Sequence, residues 1–347
     1  MRISKLIVWV FFLVGIALLC GMVGQVGIAD LLISFRAVGF WIVPWILLES
    51  LPVVLHTAGW AACFQHRQCT IQFWQLVLVR LAGSAINQVT PTATIGGEVV
   101  KVLLLAPVLP REQAAASVVI DKASFTLAQM LYLALGILYL TGRLSIPVKL
   151  RLSLSLIVGL ISLGLLGFVA FQRYGLLSKL VRRLEGYNIG RARLQRLNQH
   201  LIPLEAHLAA YYTSHPWWFG GSLMLHFLAF AFGSIQMFLL LRLLLGTNAP
   251  QLADAVTAAV VIVALDQMCF FVPGSLGTFE GIRFTVLSTL GIAQMYGLAF
   301  GLMARLEGLF WNGLGLLAYA MCTRTALVSK SVQPAVSPPP ALPPTAS

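Results

Sequence analysis

Six apolar runs, near residues 6–26, 39–64, 113–141, 149–172, 216–245 and 294–323, are each long enough to cross about 30 Å of hydrocarbon as a helix. No other feature narrows the fold so far. In hydrocarbon every backbone N–H and C=O must be satisfied within the protein, which a helix does for itself. Composition agrees: 59% of the 347 residues are hydrophobic and 10% charged. A soluble domain carries about 45–50% apolar and about 25% charged residues. The expected class is therefore all-α, a polytopic integral membrane protein. The first run, Leu6 to Val26, follows Arg2 and Lys5 as a signal peptide would. It is about twenty residues long without an A-x-A cleavage site, so it reads as a retained span.

Two further apolar regions, 72–106 and 252–290, are broken in the middle by Pro and Gly. Each is expected to be a re-entrant hairpin of two short helices, tolerated at membrane depth where protein or a cavity covers the open backbone. The architecture expected is thus six full spans plus two hairpins.

Basic residues orient it. With the N-terminus inside, 13 of the 23 Lys and Arg fall at inner ends and 5 at outer ends. Loops near span ends hold their Lys and Arg on the cytoplasmic side, so both termini are expected in the cytoplasm of a bacterial inner membrane. The same placement argues against nucleic acid as the partner of a chain with net charge +12, and for membrane lipids. The connector 173–213 carries Leu194, Leu197, Leu201, Leu204 and Leu208 at helical spacing among arginines. That pattern suits an amphipathic helix on an anionic leaflet. Residues 1–330 form one transmembrane domain, and the proline-rich 331–347 reads as a disordered tail.

The other five cations, Arg80, Lys101, Lys122, Arg283 and Arg305, lie inside expected membrane segments with Glu49, Glu98, Asp121, Asp266, Glu280 and Glu307. On an insertion scale each such charge costs about 2.5–3.5 kcal/mol at mid-bilayer, so these groups must face one another or a wet cavity. Glu49, His56 and His226 read most simply as satisfied core groups.

The charges repeat. Asn87 precedes Pro91, Gly96, Gly97 and Glu98, while Asp266 precedes Pro273, Gly274, Gly277 and Glu280. Pro to Glu is seven positions in both, and Glu98 leads to Lys122 after 24, Glu280 to Arg305 after 25. The following spans carry Asp121 with Lys122 and Arg305 with Glu307. With the hairpins entering from opposite faces this is an inverted repeat, an arrangement that in transporters brings broken helices together around a midplane site. Glycines at the break allow tight turns and leave N–H groups free at a half-helix N-terminus, which attracts anions. The candidate lipid-binding set is these residues together with Arg80, Lys101 and Arg283.

At Arg80-x6-Asn87-x3-Pro91-x4-Gly96-Gly97-Glu98, then Pro273-Gly-Ser-Leu-Gly277-x-x-Glu280 and Arg305, the chain resembles the lysylphosphatidylglycerol-synthase transmembrane (flippase-like) family over about residues 5–325. The resemblance implies a lipid translocase or export factor. Ser275 departs from the expected Pro-Gly-Gly-Leu-Gly, and a positive φ there would be strained. The aminoacyl-transferase domain that follows this module in the full synthases is missing from the sequence, so lysyl transfer is not expected. Neither a P-loop nor H-E-x-x-H occurs, which argues against ATP as the direct energy source and against a metalloprotease; no cofactor, metal or catalytic residue is expected. Two other readings stay open: an accessory subunit of lipid or glycolipid biosynthesis, and a lipid-modifying transferase.

Overall fold

The computed structural model describes residues 13, 16–64, 71–90, 95–143, 148–185, 191–269 and 275–332. Pro91, Pro273, Gly274 and the tail from residue 333 onward lie outside the described residues.

The chain is helical, with no strand among the described residues. The helices are α1 (Ile16–Val26), α2 (Ile28–Val38), α3 (Ile42–Leu48), α4 (Ser50–Ala61) and α5 (Phe73–Val89). Then come α6 (Ile95–Leu105), α7 (Arg111–Arg143), α8 (Val148–Arg173), α9 (Leu176–Glu185) and α10 (Arg191–Ser214). Last are α11 (Pro216–Leu245), α12 (Leu252–Met268), α13 (Thr278–Thr289) and α14 (Gln294–Val332). Local chemistry sets several ends. Pro216 opens α11, where its missing N–H costs nothing, and Gly246 at φ 59 closes it. Gly39 at φ 53 likewise ends α2.

Among the described residues, three stretches are long and apolar enough to cross a membrane by length and composition: Ile28–Ala61, Arg111–Leu140 and Pro216–Asn248. The surface agrees with a lipid surround. Leu152, Leu156, Leu160, Leu163 and Leu166 along α8 are all exposed, as are Trp41, Trp74 and Trp217 at helix ends. In water such a surface would be an aggregation site; in a bilayer it is solvated.

The two interrupted regions are a matched pair. Helices α5 and α12 each have 17 residues, α6 has 11 and α13 has 12, and a long helix follows each short one (33 residues in α7, 39 in α14). The two units cross-pack: α5 lies on α14 and α12 on α7. Close approach is built in, since Gly315 of α14 faces the Leu81 carbonyl of α5 and Gly136 of α7 faces Val260 of α12.

One core, with Leu240, Leu287, Leu298 and Met303, joins α11, α13 and α14. A second, around Trp60, Leu105, Ile120 and Tyr211, joins α4, α6, α7 and α10. The connector forms two helices rather than one. In α10, Leu204 and Leu208 pack into that second core with Val169, so this part of the leucine row faces protein. The side chains of Leu194 and Leu197 lie outside the described residues.

A candidate lipid-binding cavity

In the first unit, α5 and α6 approach as closely as backbones allow. A Cβ on Gly97 would stand 2.0 Å from the Gly83 carbonyl oxygen. The Gly97 N–H donates to Asn87 Oδ1 at 2.6 Å. Glu98, in the first turn of α6, accepts from Lys101 Nζ at 2.9 Å and lies 3.7 Å from Lys122 Nζ on α7. Lys101 stands between Glu98 and Asp121, 3.9 Å from the latter, with its ammonium 5.4 Å from the centre of the Trp60 ring. Asp121 is the hub. Arg80 Nη1 donates to both its oxygens, at 3.3 and 3.2 Å. His226 Nε2 of α11 lies 3.1 Å from Oδ1, and His226 Nδ1 meets His56 Nδ1 of α4 at 2.8 Å. Two Nδ1 atoms at that distance require opposite roles, one donating and one accepting. Three cations face two carboxylates here, leaving one positive charge in surplus.

In the second unit Gly277, at φ 73, turns the chain into α13, and its N–H donates to Glu280 Oε2 at 3.0 Å. Glu280, only 1% exposed, also receives Arg305 Nε at 2.6 Å and Nη2 at 3.1 Å. Arg305 Nη2 donates further to the Ser275 carbonyl at 2.8 Å. Arg283 grips Asp266 with both terminal nitrogens, at 3.2 and 2.9 Å, and donates to the Phe279 carbonyl. The guanidinium groups of Arg283 and Arg305 lie 3.3 and 4.5 Å from the centre of the Phe279 ring, cation–π geometry. This cluster is electrically balanced: two arginines and two carboxylates.

Of the glycine N–H groups expected to be free for an anion, those of Gly97 and Gly277 are occupied. Asn87 takes that of Gly97 and Glu280 that of Gly277. The reason is burial, because a half-helix N-terminus packed against protein must satisfy its donors internally. Arg305 and Glu307 do not act as a pair either; Arg305 turns to Glu280, while Glu307 accepts from Gln236 Nε2.

Both clusters back onto one cavity of about 540 Å³. Arg80 from the first unit and Arg283 from the second line it, with Glu49, His56, Phe279 and Glu307. Asn87, Glu98, Lys101, Asp121, Lys122, Asp266, Glu280 and Arg305 are not on its wall; two of them, Asp121 and Asp266, stand behind the two arginines and hold them. Gly96 opens α6, away from the wall, while Pro91, Pro273 and Gly274 lie outside the described residues. Glu49 and His56 were read from sequence as core groups, and the structure sets them on the wall. His226, fully buried, sits behind His56. A lone polar residue on an apolar helix carries no signal that separates these placements; only the partner, 170 residues away for His56 and His226, does. Among the described residues, no His, Cys, Asp or Glu group is arranged for a metal.

The family model described as "Lysylphosphatidylglycerol synthase TM region" matches residues 5–313. No curated protein and no solved structure matches significantly.

Proposed function

From the chain's membership of the lysylphosphatidylglycerol synthase TM region family, we propose that it is a flippase-like transporter, moving a polar lipid across or out of a bacterial cytoplasmic membrane. One observation carries this reading: each of the two matched units contributes one arginine, Arg80 or Arg283, to the wall of a single cavity. A cavity shared by paired units with broken helices is what alternating access needs, since rocking one unit against the other exposes the site to either side.

The short helices support the topology as well. At 1.5 Å per residue, α6 and α13 reach only ~17 Å, about half of the hydrocarbon thickness. Each pairs with its preceding helix as a re-entrant hairpin, and the six long apolar runs are the spans. The basic-residue bias puts both termini and the 173–213 connector in the cytoplasm.

Arg80 is the group that meets the head group. It spends Nη1 on Asp121, and its cluster holds the surplus positive charge, so a lipid phosphate neutralises what the first unit leaves over. Arg80→Gln removes that charge while keeping most of the stem. Losing a charged hydrogen bond in a shielded site costs about 1.5–3 kcal/mol, or about ten- to a hundredfold in affinity.

The test is lipid movement in proteoliposomes, read by bleaching of fluorescent lipids from one side. Arg80→Gln and Arg283→Gln lower the rate by about tenfold or more, while Arg80→Lys, which keeps the charge, retains part of it. Thermal stability of every variant separates lost transport from lost fold. Normal transport by both folded Arg→Gln variants would overturn the reading.

A further inference from the structure

Each arginine on the cavity wall has a carboxylate behind it, but the two carboxylates on the wall have no cation among the described residues. Asp121 holds Arg80 and Asp266 holds Arg283. Among the described residues, no ion pair or hydrogen bond reaches the Glu49 carboxylate, and that of Glu307 meets the neutral amide of Gln236. Inside a membrane protein an uncompensated carboxylate is costly. Beside Glu49 and Glu307 this wall can therefore accept positive charge.

The neighbouring residues fit an ammonium group. Trp45 and Trp311 line the same cavity. Each has its polar end tied down: Trp45 Nε1 donates to the Gln236 carbonyl at 2.9 Å and Trp311 Nε1 to the Ile46 carbonyl at 3.0 Å. Gln236 links Trp45 to the acid, giving its amide to both Glu307 and the Trp45 carbonyl. Indole rings fixed by their N–H groups beside carboxylates offer quadrupole and charge together, the chemistry that recognises organic cations.

We propose that Glu49 and Glu307, with Trp45 and Trp311, form an ammonium subsite in the cavity. Its ligand is then a zwitterion, a phosphodiester with a tethered amine, whose phosphate meets Arg80. This rests on the transport reading for its lipid source and sharpens it: a phospholipid with an amine head group is preferred over one with a purely anionic head group.

Binding tests the subsite apart from transport. Purified protein in a non-ionic detergent is titrated with dihexanoyl phosphatidylethanolamine, dihexanoyl phosphatidylglycerol and O-phosphoethanolamine, following tryptophan fluorescence and thermal shift. The wild type binds the ethanolamine lipid at least tenfold more tightly than the glycerol lipid. In the Glu49→Gln, Glu307→Gln double variant that ratio falls towards one. The unliganded double variant melts at or above the wild-type temperature, because it loses two uncompensated carboxylates; a purely structural role for them predicts a lower melting temperature.

A wild-type ratio near one, or a ratio the double variant keeps, overturns the subsite. O-phosphoethanolamine binding as tightly as the lipid overturns the lipid source and makes the ligand a soluble amine. Absence of lipid movement in proteoliposomes, with the amine preference intact, removes the transport reading and leaves the subsite standing.

Discussion

Replacing Gly97 by alanine tests whether the Gly-Gly step exists for close packing rather than for an open anion site. The added Cβ would sit 2.0 Å from the Gly83 carbonyl oxygen and 2.6 Å from the Asn87 side chain, where ordinary contact begins near 3.4 Å. A backbone oxygen cannot swing aside, so the α5–α6 crossing must widen by about 1.4 Å. That displaces Asn87 from the Gly97 N–H and moves Lys101, whose stem packs against Gly83. Overpacking of this kind costs about 1–3 kcal/mol, and a lost buried hydrogen bond about 1 kcal/mol more. Alanine's better helix propensity returns up to about 1 kcal/mol. The net loss is therefore about 1–3 kcal/mol. The comparator is Gly221→Ala on α11, where nothing stands within 4 Å of the added methyl and propensity alone acts. Reversible unfolding in mixed micelles gives both values on one scale, with Gly221→Ala neutral or slightly stabilising. Equal stability of the two variants would refute the packing argument, and with it the reading that the N–H of Gly97 is committed to Asn87.

Three other outcomes follow from particular contacts. Among the described residues Ser275 is the one non-glycine at positive φ, at 47°, so Ser275→Gly relieves about 1 kcal/mol of strain and raises the melting temperature; a fall would show that its side chain matters more. Arg305→Gln strands Glu280 in a site 1% exposed and costs about 3–5 kcal/mol, while adding Glu280→Gln recovers part of that loss in a double-mutant cycle; additive losses would mean the pair is uncoupled. For orientation, Gly190→Cys in a cysteine-free background is labelled by a membrane-impermeant reagent after permeabilisation only; labelling of intact cells would reverse the topology.

How far the sequence led depended on the reach of each signal. The helical membrane class was legible because lipid demands long apolar runs, a local property of consecutive residues. The matched units were legible because their markers recur at fixed short spacing: each interrupted region is two helices, α5 with α6 and α12 with α13, and Glu98 and Glu280 each sit in the first turn of the second, against Lys122 and Arg305. What stayed hidden lay across helices. Asp121 is adjacent to Lys122 in sequence yet binds Arg80, 41 residues earlier, since neighbours on a helix point about 100° apart. The same geometry sends Arg305 to Glu280 and Glu307 to Gln236 from a single helix. Hidden too was which charges on the wall have a partner. Counting intramembrane cations pointed to an anion site, because a count weights every charge equally. Pairing does not: once Asp121 and Asp266 are matched to their arginines, the groups on the wall with no cation among the described residues are Glu49 and Glu307, the first of which reads from sequence as a core group. A ligand is selected by the charge a site has left over, and that remainder is set by packing.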